Sequence, residues 1–206
     1  MTYALPVTLE EQIAKALDLG DLRTAATLTL RGYGPEVLGL LHAVLRDQAL
    51  VDDAYAEFSE RLWSSLPRWE RRCGMRTWAS LLARRAAIDA RRAEKRRRVE
   101  QPLGDEISRV AQAVRTATLP HLRTANKDAI AALRDELPED DRTLLVLRVD
   151  RALAWNELAI VFLSSEADDE AVRREAARLR KRFQLVKERL YAMGRERGLL
   201  SDGSVK

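Results

Sequence analysis

One cysteine in 206 residues, Cys73, leaves no disulfide framework and no thiolate metal site. Histidine is almost as scarce. His42 and His121 lie far apart, neither has a ligand-spaced partner, and both read as solvated helix residues. There is no Gly-rich phosphate loop, no pair of carboxylates in a plausible pocket and no Ser–His or Cys–His arrangement. Catalysis therefore has no candidate, and the chain is expected to be neither an enzyme nor a binder of metal or cofactor. No apolar run approaches the roughly 20 residues of a membrane span. The first twelve residues, MTYALPVTLEEQ, carry acid where a signal peptide carries base, so the expected location is the cytoplasm. Lysine is rare too, with six against thirty arginines. The planar arginine fork suits bidentate phosphate and guanine contacts, although a GC-rich genome would produce the same bias.

What the chain does have is segregated charge. Charged residues make up 33% of it, yet the net charge is only +4. Acid gathers at Asp52–Glu60 and Asp135–Asp141, base at Arg84–Arg98 and Arg173–Arg197. Blocks of opposite sign imply two kinds of surface, one for nucleic acid and one for a protein partner. The richest stretch is MRTWASLLARRAAIDARRAEKRRR, Met75–Arg98. From Arg84 onward it sets eight Lys or Arg against Asp89 and Glu94, a local charge of +6. A core helix has no use for that charge, whereas a helix meeting phosphate does.

Helical periodicity runs through almost every segment, and no strand alternation is convincing. Thr8 and Glu11 form a capping box for a first helix ending near Gly20. A second helix starts at Asp21 and is expected to stop at Gly32-Tyr33-Gly34, with Pro35 opening another in its first turn. In VDDAYAEFSERLWSSL, Tyr55, Phe58, Leu62 and Leu66 form one stripe, while Asp53, Glu57 and Glu60 share the opposite face. A loop at 67–74 precedes the Trp78–Arg92 helix. Asp89 is spaced to pair with Arg85 and Arg92 along it. Trp78 falls on its apolar side and reads as core, whereas Trp69, in the loop, is free to stack on an unpaired base.

The predicted architecture is all-α: two small helical domains, 1–98 and 127–206, joined by a linker at 99–126 in which Pro120 breaks a weakly periodic stretch. In the second domain a helix to about Leu137 precedes Glu139–Asp150. A short helix at Ala154–Phe162 and a long one from about Glu170 follow. The last carries Val172, Ala176, Leu179, Phe183, Val186 and Leu190 at 4-3-4-3-4 spacing. A short helix, a tight connection and a longer basic helix are the parts of a helix-turn-helix. Arg173, Arg174, Arg178 and Lys181 lie off the apolar stripe near the helix start, where base edges are read; Arg180 and Arg182 suit phosphates or solvent.

In this order and spacing, three stretches resemble the extracytoplasmic-function sigma factors, the two-domain bacterial sigma subunits. They are LRGYGPEVLGLLHAVLRDQALVDDAYAEFSERLW, RTWASLLARRAAIDARR, and LPEDDRTLLVLRVDRALAWNELAIVFL followed by AVRREAARLRKRF. The resemblance implies a non-enzymatic alternative sigma factor. Its first domain would bind the β′ clamp helices of core RNA polymerase and capture the melted −10 element of promoter DNA. Its second would read the −35 element in the major groove. By position, Asp52, Asp53 and Glu57 fall on the polymerase-docking helix. Arg68–Met75, with Trp69, Arg71 and Arg72, matches the loop that receives a flipped base. Trp78, Arg84, Arg85, Asp89 and Arg92 fall on the helix along the −10 DNA, and Arg173, Arg174, Ala177 and Arg178 match the −35 reading positions. Such factors are often held by an anti-sigma factor wedged between the domains.

The chain departs from the family pattern at several positions. Ala56 stands where Gln is frequent, Ser59 where Phe is, Arg85 where Asn is, and Glu175 where Arg is, so one phosphate contact is expected to be missing. The turn SSEADDE is long and acidic, which suits DNA proximity only if it caps the following helix. The first ~30 residues have no clear counterpart. Two other readings stay open: a stand-alone helix-turn-helix regulator, and a helical protein that sequesters a transcription component.

Overall fold

The computed structural model describes residues 7–100, 132–163 and 166–199, and these contain helices and connections but no strand. The helices are α1 (Leu9–Asp18), α2 (Leu22–Leu45), α3 (Gln48–Ser65), α4 (Met75–Glu100), α5 (Glu139–Leu145), α6 (Trp155–Phe162) and α7 (Asp169–Glu196). A single 3-10 turn, Leu66–Arg68, follows α3, and α5 runs on into a wider π-helical turn, Val146–Asp150. Residues 132–135 are also helical. The expected linker beyond residue 100, with Pro120 and His121, lies outside the described residues.

Local chemistry sets the helix ends where the sequence places them. At α1 the capping box is complete: the Glu11 amide donates to Thr8 Oγ1 at 3.3 Å, and the Thr8 amide donates to Glu11 Oε2 at 2.8 Å. Gly20, at φ +71°, turns the chain left-handed after α1, a conformation glycine adopts without steric cost. Asp21 caps α2 through the Thr24 amide, Asp47 caps α3 through the Ala49 and Leu50 amides, and Asp168 caps α7 through the Ala171 amide. The acidic turn before α7 therefore does cap it, with Asp169 and Glu170 in the first turn where the dipole favours them.

The expected break at Gly32–Pro35 does not occur. α2 runs unbroken through Pro35, which forgoes one intrahelical hydrogen bond. Burial overrides that signal, because Val37, Leu40, Leu41, Val44 and Leu45 beyond the proline all bury on the core. The glycines serve close approach instead of termination. Gly34 is buried, and a Cβ there would lie 2.8 Å from the Tyr55 hydroxyl of α3.

A single hydrophobic core unites both halves of the chain. Ile13, Leu41, Phe58, Met75 and Leu81 share it with Leu144, Leu147, Leu158 and Leu179. The Ala-rich face of α4 (Ala79, Ala83, Ala86, Ala87) lies at its centre, where small side chains let neighbouring helices approach. α4 packs against α2, α3 and α6, and α2 also packs against α5. A small satellite cluster of Leu137, Leu145 and Val186 joins α5 to the later part of α7. The 4-3-4-3-4 stripe of α7 is buried or half-buried along its whole length, as its spacing predicts.

Candidate functional site

Three surfaces carry the residues singled out in the sequence: the acidic face of α3, the loop 66–74 with α4, and the first turns of α7. On α3, Asp52 and Asp53 are exposed. Asp52 accepts from the Gln48 side chain at 2.7 Å, and Asp53 lies 3.5 Å from Arg97. Glu57 is placed differently, half-buried and paired with Arg61 at 2.5 Å. Arg61 reaches on to Asp89 of α4 at 2.8 Å. Burial works against its charge, but the hydrogen bonds it donates to Asp89 and Glu57 outweigh that and raise its pKa. Asp89 therefore does more than pair along its own helix, since it joins α4 to α3 as well as meeting Arg92 at 3.6 Å. Trp63, 54% exposed, extends the outward side of α3 beyond Glu60, a feature the charge pattern did not reveal.

The loop before α4 is held from several sides. Trp69 stacks on Trp78 with ring centroids 5.7 Å apart, and Trp78 itself is buried, as its place on the apolar side predicted. Arg71 adopts φ +58° and pairs with Asp18 of α1 at 2.7 Å, while Arg72 pairs with Glu70 at 2.7 Å. Half-buried Cys73 has its thiol pKa pushed up to about 11, first by burial and then by the charges of Glu10 and Glu157. Gly74 has no side chain with which to cap α4. The Met75 and Arg76 amides instead donate to the two oxygens of Glu10, at 2.9 and 3.0 Å. This bridge spans 65 residues and left no sign in the sequence.

Along α4 the arginines divide. Arg85 and Arg92 are exposed. Arg84 is turned inward: its guanidinium meets Asp140 at 2.8 Å and lies 4.4 Å over the Phe162 ring. Arg91 donates to the Val44 and Leu45 carbonyls and lies 3.6 Å from Glu139. Thr77 donates to Glu157 at 3.1 Å, and the same carboxylate accepts from the Ala154 amide at the start of α6. In this arrangement Arg84 and Trp78, both expected on the −10 surface, face protein.

The acidic block Asp135–Asp141 proves to be the counter-charge of these helices and not a free partner surface. Asp135 pairs with Arg46, Glu136 with Arg197, and Glu139 with Arg91. Asp140 stands between Arg84 and Arg182, and Asp141 takes Arg182 at 2.6 Å. Arg182 is thus bound to α5, which overturns its expected role toward phosphate or solvent. Arg180 is exposed and lies 5.7 Å from the Trp155 ring.

At the start of α7 the expected reading residues stand outward. Arg173, Arg174, Ala177, Arg178 and Lys181 are all exposed. Their partners are local: Arg173 donates to the Asp169 carbonyl, Arg174 pairs with Glu170 at 2.7 Å, and Arg178 forms a two-pronged pair with Glu175 at 2.6 and 2.7 Å. Glu175 is buried, so the carboxylate that stands in place of a cation fixes the direction of Arg178. The helix is braced from behind by Trp155, edge-on to Phe183 at 5.7 Å, with Arg148 over the Trp155 ring at 4.7 Å. Among the described residues no cluster of His, Cys, Asp or Glu is suited to hold a metal, and no helix is long and apolar enough to cross a membrane.

Residues 29–97, from within α2 to near the end of α4, match the family described as Sigma-70 region 2. No curated protein matches the chain.

Proposed function

We propose, from the match of residues 29–97 to Sigma-70 region 2, that this chain is an alternative, extracytoplasmic-function type sigma factor acting in the cytoplasm. In this reading it binds core RNA polymerase, selects promoters and catalyses nothing itself. The observation that carries it is the coincidence of the matched segment with an exposed acidic face and an exposed basic surface on one helical unit. Exposed Asp52 and Asp53 lie on α3, and the loop and basic helix lie immediately after it.

The acidic side of α3 cannot favour DNA, so its partner is protein: the β′ clamp helices of polymerase, approached through Asp52, Asp53 and Glu57. Trp69, Arg71 and Arg72 of the loop, with Arg85 and Arg92, meet the melted −10 strand. Flipping a base costs a few kcal/mol, offset by stacking and nearby phosphate contacts. Trp78 supports this surface from beneath as the platform for Trp69. Arg84 joins it only when Asp140 and Phe162 release it. The first turns of α7 serve as the reading helix of a C-terminal helix-turn-helix for the −35 element, through Arg173, Arg174, Ala177, Arg178 and Lys181. Tethering through polymerase supplies effective concentration, so neither DNA surface needs high affinity alone. An anti-sigma factor is a further partner in this reading, in which opening of the shared core would let residues 1–98 and 127–206 act as one domain each on either side of the 99–126 linker.

Run-off transcription with core RNA polymerase and fragments from upstream of the gene tests the proposal. Discrete transcripts that require the protein are expected, and Asp52→Lys with Asp53→Lys should abolish them while duplex binding through α7 persists. Absence of transcripts, with a shift of duplex DNA by the protein alone, would establish a stand-alone regulator instead.

A further inference from the structure

We propose that Glu10, on α1 and outside the family-matched segment, is a positioning residue for the loop that receives the unpaired base. The inference rests on the sigma reading above and adds to it a role for the N-terminal helix.

The geometry begins with a deficiency. A helix leaves its first amides without intrahelical partners, and a side chain just before it normally accepts from them. α4 is preceded by Gly74, which has no such group. Glu10 supplies it from another helix, one oxygen to Met75 and the other to Arg76, at a helix end where the dipole favours negative charge. The carboxylate is itself fixed, because the Tyr33 hydroxyl of α2 donates to Oε1 at 2.7 Å. Burial, followed by this hydrogen bond, raises the Tyr33 pKa, so the donor keeps its proton. α1 grips the loop a second time through Asp18, which holds Arg71 in its left-handed conformation at 2.7 Å. A third tie, Arg76 to Glu36 at 2.8 Å, joins the same helix start to α2. Arg71 is one of these points, Arg72 lies between them and Trp69 stands two residues before the first, so α1 sets where the stacking ring and the two cations stand relative to α4.

A loop fixed in advance does not have to be ordered by the DNA that binds it, and that saving appears as affinity for melted DNA alone. Loss of a purely structural contact would lower all activities together. Loss of a positioning contact separates melted-strand binding from polymerase binding and duplex binding.

The test uses the full chain with Glu10→Ala and with Glu10→Gln, which keeps the shape and one acceptor. Iodoacetamide alkylation of half-buried Cys73, followed across pH so that the reactivity of the thiolate is separated from its fraction, reports the grip on the loop. Duplexes with a premelted tract, selected by wild-type holoenzyme from a randomised pool, report DNA capture. In Glu10→Ala, alkylation should accelerate and affinity for the selected tract should fall about fivefold, the scale of one lost cap. Affinity for core polymerase should stay at the wild-type level. Glu10→Gln should fall between, and it alone decides the matter if Glu10→Ala does not fold. Unchanged alkylation overturns the proposal. Faster alkylation with unchanged tract affinity also overturns it but leaves the sigma reading standing. A wild-type holoenzyme that selects no tract defeats both.

Discussion

α4 and α7 are both long, arginine-rich helices with one apolar side, yet their cations are used in opposite ways. On α4 the inward arginines are committed to distant parts of the fold, Arg84 to Asp140 and Phe162, Arg91 to the end of α2 and to Glu139. At the start of α7 the arginines pair only with acids of their own helix, one turn away: Arg174 with exposed Glu170, and Arg178, itself exposed, with buried Glu175. An exposed pair such as Arg174–Glu170 is worth a few tenths of a kcal/mol and exchanges readily for phosphate. A basic helix is therefore not by itself a DNA surface. What decides is whether its counter-charges are local and replaceable or tertiary and packed.

The largest expected effect tests whether Trp78 belongs to the packed class. Trp78→Ala should lower stability by about 3–5 kcal/mol, the range for truncating a buried aromatic, as a clear fall in Tm. An unchanged Tm would return Trp78 to the DNA surface. Arg84→Ala comes next. It removes an ion pair and a cation–π contact from a side chain 16% exposed, and should destabilise by about 1–3 kcal/mol in chemical denaturation.

Arg174→Ala should do the reverse. Stability should change by no more than about 0.5 kcal/mol, because Arg174 and its partner Glu170 are both exposed. For Arg178→Ala, promoter binding should weaken by ~1–3 kcal/mol with relaxed choice at one base pair, whereas equal loss on all sequences would make Arg178 a phosphate contact. Equal destabilisation by Arg84→Ala and Arg174→Ala would dissolve the contrast between the helices.

The smallest effect concerns the loop that joins the two surfaces of the first half. The fold raises the Cys73 pKa to about 11, so it favours the thiol. The stabilising contribution of that thiol is complete below its unfolded pKa of about 8.5 and is lost as the pH rises toward 11. Alkylation at pH 8 should accordingly be slower than for an unstructured cysteine, since only the thiolate reacts. A rate equal to that of the denatured chain would show that the loop does not shelter the sulfur.

Features governed by neighbours in sequence were legible before the structure. The Thr8–Glu11 capping box, the caps at Asp21 and Asp168, and the stripe from Val172 to Leu190 all depend on residues within a turn or two of each other. The exposure of Arg173, Arg174, Ala177, Arg178 and Lys181 on α7 follows from that stripe by helical geometry alone. The α2 break failed because Gly32, Gly34 and Pro35 are ambiguous locally. The same residues end a helix or admit a crossing neighbour, and only the presence of Tyr55 against Gly34 decides between the two. The roles of Glu10, Arg84 and Asp140 were hidden for a related reason, since Glu10 and Met75 are 65 residues apart and Arg84 and Asp140 56.

By itself, then, the sequence determined an all-helical chain, the two basic helices and the separate acidic face of α3, because periodicity and charge blocks are local properties of a chain. Only the tertiary structure decided which charges remain available. The acidic block Asp135–Asp141 neutralises Arg46, Arg84, Arg91, Arg182 and Arg197. That leaves the outward arginines of α4 and the first turns of α7 facing solvent. Ion pairing acts through space and not along the chain, so a count of charges gives the total while the fold selects the remainder.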